Sequence, residues 1–153
     1  ALITASGHDK IEILISTNRG EPMKPLSKIA SGGEISRIML AFKNVVGSYS
    51  KVPTMIFDEI DSGISGITAS IVGKKLKNIS ANHQIICITH LPQIAAYGDN
   101  NYRIYKSAND KSTFTAMEKL TPEQKIHEIA RLIGGINITP TIIKSAEELI
   151  KNS

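Results

Sequence analysis

The sequence predicts an α/β fold: a parallel βαβ core, then a β-hairpin, then terminal helices. Two observations set the core. The runs TMIF (54–57) and IICITH (85–90) are short and continuously apolar or β-branched, as strands covered on both faces are. Between them Ile67, Ile71, Val72, Leu76 and Ile79 recur at helical spacing. Strand, helix and strand at this separation make a βαβ unit and so a parallel sheet. The third observation is a change of pattern after His90. There NYRIYK and STFTAMEKL read as two strands joined by a polar turn at Asn109 and Asp110.

The remaining elements follow in chain order. In IEILIS (11–16), Ile11, Ile13 and Ile15 alternate, which suits a strand with one buried face. Asn18, Gly20, Pro22 and Pro25 make 17–30 a turn-rich connection. Ile35, Ile38, Met39, Phe42, Val45 and Val46 then form the stripe of an amphipathic helix. Ser31 is its N-cap candidate, and the pattern stops at Gly47 and Ser48. Pro53 introduces TMIF, whose length gives a buried strand of about four residues. Thr121, Pro122 and Gln124 have the arrangement of a capping box with proline at the first helical position. The stripe of that helix is Ile126, Ile129, Ala130 and Ile133, and Gly134 and Gly135 end it. A last helix at roughly 140–151 carries Ile142, Ile143, Ala146, Leu149 and Ile150.

Bulk properties bound the function. The 153 residues, 41% of them hydrophobic, suffice for one domain with a real core, spanning 1–153. No run nears the ~20 apolar residues of a spanning helix, and the first residues lack a signal-peptide pattern. Cys87 is the single cysteine, so no internal disulfide exists and a reducing cytoplasm is expected. The net charge of +4 is compatible with a nucleic-acid or nucleotide partner, without demanding one. With no Trp and few aromatics, a stacking platform for single strands is not expected.

Three segments carry candidate chemistry. In Ser31-Gly32-Gly33-Glu34, two glycines between a capping serine and a long helix leave backbone N–H groups bare, as an anion site needs. A plain helix-start turn explains the same residues. Asp58 and Glu59 end a buried strand, where open α/β sheets bind ligands. Asp58 suits a hydrated Mg²⁺, and Glu59 could polarise a water. The structural alternative is a polar strand end. His90 ends the second apolar run and could contact a phosphate or simply cap the core edge. His8, His83 and His127 show no zinc-site spacing. Lys74, Lys75 and Lys77 read as a solvated helix face, and Cys87 as core.

Taken together and in this order, the segments are far more specific. IASGGE resembles the signature motif of ABC-type ATPases, with Ala30 and Glu34 in place of its usual ends. TMIFDEID resembles a Walker B strand with its catalytic glutamate, Ser62-Gly63-Ile64-Ser65 takes the place of the D-loop, and CITH ends in a switch histidine. The wider wording of PLSKIASGGEISRIMLAFK, PTMIFDEIDSGISG, QIICITHLPQIAAYGD and HEIARLIGG is similar to the C-terminal part of the RecN family, SMC-like ATPases of bacterial DNA repair. The resemblance runs from about Gly7 to Leu149.

The resemblance implies a fold, the C-terminal lobe of a P-loop NTPase-like ABC/SMC head. It also implies roles. Asp58 would coordinate Mg²⁺ through water, and Glu59 would be the general base for the water that attacks the γ-phosphate of ATP. His90 would contact that phosphate. Ser31, Gly32, Gly33 and Glu34 would form the signature that meets ATP held by a second head. Ser62, Gly63 and Ser65 would run along the dimer interface, with Ser65 standing where the common D-loop has Asp.

The sequence holds no G-x-x-x-x-G-K-[ST], so the phosphate cradle is missing, and no coiled-coil heptads occur. Phosphoryl transfer depends on positioning and charge stabilisation, so this chain alone is expected to be inactive. The reading implied is a fragment of a longer protein, completed by its own N-terminal Walker A lobe, which ATP and Mg²⁺ would require. Two heads would sandwich ATP as a homodimer, and the assembled protein would bind DNA, in DNA damage repair and recombination. The expected location is cytoplasmic and nucleoid-associated, with no membrane partner. The alternative is a non-catalytic, nucleotide-dependent docking module of another ABC-type ATPase.

Overall fold

The computed structural model describes residues 7–9, 11–16, 19–28, 31–46, 52–109 and 112–153. Asn18, Ala30, Gly47, Ser48 and Asp110, named above, lie outside the described residues.

The centre is the βαβ unit that the apolar runs predict. β3 (Thr54–Phe57) and β4 (Gln84–Cys87) pair in parallel, with Thr54 opposite Gln84 and Phe57 opposite Cys87. They are joined by α2 (Gly66–Ser80). The pairing continues past both ends of the ladder, since Gln84 N–H donates to Pro53 O and Ile88 N–H to Phe57 O. Met55 and Phe57 point into a core with Leu40, Ile60, Ala69, Val72, Leu76, Ile79 and Ile94. The opposite face of the pair exposes Ile56, Ile86 and Ile88. The runs read as continuously apolar although only one face is covered by the described residues.

Helix faces were the least legible part of this core. In α2, Ile67 and Ile71 of the expected stripe are exposed. The buried face is Ala69, Val72, Gly73, Leu76 and Ile79. The small residues decide this orientation: a Cβ on Gly73 would lie 2.4 Å from the Tyr97 ring, so the helix turns its least bulky side to its neighbour. α1 (Gly32–Val46) departs further, because Ile35, Met39, Phe42 and Val45 are exposed while Gly33 and Leu40 are buried. Its inner face also carries Ser36 and Arg37, which are satisfied by carbonyls of the loop after β3.

The N-terminal strand is shorter than expected. β1 is Leu14–Ile15, antiparallel to β2 (Lys24–Pro25), which is followed by a single 3₁₀ turn at Leu26–Lys28. Ile11 and Ile13 are 84% and 54% exposed, so the alternation of 11–16 does not bury a face here. Two paired residues cannot hold a strand against a core.

The second half follows its local signals closely. α3 (Pro92–Ala95), a single turn not foreseen from the sequence, leads to the hairpin of β5 (Tyr102–Asn109) and β6 (Ser112–Lys119). α4 (Pro122–Gly134) starts with the full capping box: Gln124 N–H donates to Thr121 Oγ1, and Thr121 N–H to Gln124 Oε1. Gly135 ends it at φ +69°. α5 (Pro140–Lys151) has Thr139 as its N-cap. Ala96, Ile129, Ala130 and Ala146 form the core between these helices. Ile133 stays 40% exposed, outside that core. Lys125 reaches back to the carbonyls of Ala96 and Gly98 at 2.8 and 2.7 Å, and its burial lowers its pKa. Among the described residues no helix is long and apolar enough to cross a membrane.

Candidate functional site

Parallel pairing brings the carboxyl ends of β3 and β4 side by side, and each run continues into polar residues there. Asp58, Glu59, Asp61, Ser62 and Gly63 therefore share one open cleft of about 410 Å³ with Ile88, Thr89 and His90. Such a crevice beyond the strand ends is where open α/β sheets take ligands.

The loop after β3 is tightly wound. Glu59 sits at φ +55°, a conformation that non-glycine residues rarely adopt. It is held there by a turn in which Ser62 N–H donates to Glu59 O at 3.0 Å, and by Glu59 N–H donating to Asp58 Oδ1 at 2.9 Å. Gly63, at φ +70°, completes the reversal before α2. Backbone strain of this kind persists where the surroundings over-determine it, and it clusters at functional sites.

The glycine-rich start of α1 abuts this loop. Ser31 caps the helix as expected, its Oγ accepting from Glu34 N–H at 3.2 Å. A Cβ on Gly32 would lie 2.6 Å from Glu59 Oε2, so the carboxylate rests against the first helical residue. A Cβ on Gly33 would lie 2.9 Å from both Cβ and O of Ser62. Two side chains fasten the helix to the loop. Ser36 Oγ donates to Asp58 O at 3.0 Å, and Arg37 donates through one terminal nitrogen to Ile60 O at 3.1 Å and Ser62 O at 2.7 Å. Ser31, Gly32, Gly33, Asp58, Glu59, Ser62, Gly63 and His90 thus lie in one neighbourhood, although 59 residues separate the first from the last.

Two candidates stand apart. Glu34 is exposed on α1, and its backbone rather than its side chain takes part in the cap. Ser65 occupies the N-cap position of α2 and does not line the cleft.

Asp61 is the site residue that sequence reasoning missed. It is 5% exposed and accepts from Thr89 Oγ1 at 2.7 Å and from His90 N–H at 2.8 Å. His90 Nδ1 lies 2.9 Å from the same oxygen, Oδ2. Burial pushes the pKa of this carboxyl up, but the bonds from Thr89 and His90 outweigh it and leave the pKa below the usual range. The available signal was a third acid in FDEID, in a loop that a parallel neighbour's Thr-His end must meet.

Other singled-out residues are structural. Cys87 packs against the core, and burial pushes its thiol up to about 12. Lys77 pairs with Asp99. His83 Nδ1 contacts Val52 O. No group of three or more His, Cys, Asp or Glu side chains that could hold a metal ion occurs among the described residues. A closed zinc-type cage is therefore absent from them, whereas Mg²⁺ asks for only one or two carboxylates besides phosphate oxygens and waters.

No family model matches the chain. DNA repair protein RecN of Bacillus subtilis (strain 168) is 44% identical over 151 residues, 99% of this chain. RecN of Halalkalibacterium halodurans is 45% identical over 145 residues, and that of Vibrio cholerae 44% over 144, covering 95% and 94% of the chain. The chain spans 26% of the length of each of these relatives. A solved structure from work on ATP-driven dimerization and DNA-stimulated activation of SMC ATPases shares the fold. Its TM-score is 0.50 at 24% identity, covering 77% of this chain and 70% of that one. Such identity, sustained over nearly every residue, makes the chain homologous to about a quarter of the DNA repair protein RecN.

Proposed function

We propose that this chain is the C-terminal lobe of an SMC-like, ABC-type ATPase head. It would hydrolyse ATP as part of a longer protein in double-strand-break repair and recombination. The observation that carries the reading is the single cleft in which Asp58, Glu59 and His90 meet beside the glycine-rich start of α1. The homology to RecN supports the same reading.

Roles follow from position. One oxygen of Asp58 accepts from Glu59 N–H, which leaves the other free toward the cleft for the water shell of Mg²⁺. Bound there, the ion would neutralise charge on the ATP phosphates. Glu59 is the general base and takes the proton of the attacking water. His90 would contact the γ-phosphate. Ser31, Gly32, Gly33 and Glu34 would present the α1 N-terminus to ATP of a second head, with Ser62, Gly63 and Ser65 along the interface. The sequence holds no cradle for the phosphates, and the protein's own Walker A lobe would supply it. The exposed apolar residues, Ile56, Ile86 and Ile88 on the outer face of the strand pair and Phe42 and Val45 on α1, fit burial by further protein. DNA would be bound by the assembled homodimer, in the cytoplasm at the nucleoid.

The test uses a complete RecN-type head that carries this chain. Glu59→Gln should retain ATP and prolong head engagement, with turnover lowered at least ~100-fold. Normal hydrolysis by this variant would exclude Glu59 as the base. The chain alone should turn over no ATP, and robust turnover by it would overturn the two-lobe reading.

A further inference from the structure

We propose that Asp61 is the positioning residue of His90. It holds the imidazole by Nδ1 and so leaves Nε2 as the ring nitrogen offered to the cleft. This rests on the ATPase reading above for its purpose, but not for its geometry.

The two partners are unlike in environment. Asp61 is buried, whereas the His90 side chain is 73% exposed. A buried anchor thus carries a solvent-facing working group. A single oxygen, Asp61 Oδ2, gathers Thr89 Oγ1, His90 N–H and His90 Nδ1, all within 2.9 Å. Thr89 Oγ1 accepts in turn from Leu91 N–H at 3.1 Å. The segment 89–91 is therefore fixed at backbone and side chain alike, and the ring has one orientation that keeps these bonds.

A carboxylate accepts and cannot donate, so the nitrogen facing it must carry the proton. The neutral ring then has its lone pair on Nε2. This is how a carboxylate behind a histidine sets tautomer and direction in metal sites and hydrolytic triads. A carboxylate serving the fold alone would have no need of Nδ1, because Thr89 and the His90 N–H already tie the two loops together.

The first test needs only the chain as it stands. Long-range ¹H–¹⁵N NMR above the titration range of histidine should show His90 protonated on Nδ1, with Nε2 bare. Asp61→Asn should move the ring toward the Nε2-protonated form. An Nε2-protonated His90 in the unaltered chain overturns the proposal, and that spectrum decides the matter even if the variant fails to fold. The second test uses the complete RecN-type head. Asp61→Asn should lower kcat about 10–100-fold, with KM for ATP within about twofold. Added to His90→Ala, it should cost nothing further. Equal losses in both backgrounds would overturn positioning through His90. Absence of ATP turnover by the complete, unaltered head would instead defeat the ATPase reading and leave the NMR result standing.

Discussion

The backbone oxygen of Ser62 lies 2.9 Å from the point a Cβ on Gly33 would occupy. Backbone cannot swing aside as a side-chain tip can. Gly33→Ala should therefore cost about 1–3 kcal/mol through forced separation of α1 and the loop after β3. Gly32→Ala meets only the end of the Glu59 side chain, which can turn away, so its cost should be small. Urea unfolding of both variants checks this, and equal midpoints would contradict it.

The lowered pKa of Asp61 makes part of the stability depend on pH. A carboxyl whose folded pKa is depressed stabilises the fold above its unfolded value of about 4 and loses that contribution as pH falls through the folded one. Between pH 6 and pH 3 the chain should lose stability more steeply than Asp61→Asn. At pH 6 the variant should be the weaker, because a charge-assisted acceptor of several bonds has been replaced. Parallel pH curves for the two proteins would remove Asp61 from the acid response.

Cys87 gives a reporter of opening. With its thiol pushed up to about 12, almost no thiolate exists at pH 8. A thiol reagent should modify the native chain far more slowly than the urea-unfolded chain. Comparable rates in both states would mean that β4 opens freely.

Thr121→Ala should cost about 1 kcal/mol, since it removes the acceptor for Gln124 N–H at the start of α4. Gln124→Ala removes the reciprocal bond to Thr121 N–H. The two changes share one cap, so the double variant should lose less than the sum. Strict additivity in thermal or urea unfolding would count against a cooperative box.

Local signals predicted local structure well. The capping box at Thr121, the four-residue strand at Thr54–Phe57 and the last helix at Pro140–Lys151 all follow from a few neighbouring residues. Helix faces did not follow, because α1 and α2 turn inward the residues that fit rather than the largest. Gly33, Ser36 and Arg37 look polar or empty in sequence, yet they face a loop more than 20 residues away. Asp58, Glu59 and His90 could be picked out as candidates because the first two follow one apolar run and the third ends the other. Asp61 was not, because its partners lie 28 and 29 residues further on and only the parallel register brings them within reach.

The carboxylate of Glu59 rests against Gly32, at the end of α1 whose dipole and bare N–H groups favour an anion. The chain thus sets a carboxylate of its own beside that position. An incoming anion would meet a like charge there, which opposes its approach. Glu59 also lines the cleft, so one side chain borders both the helix start and the strand ends.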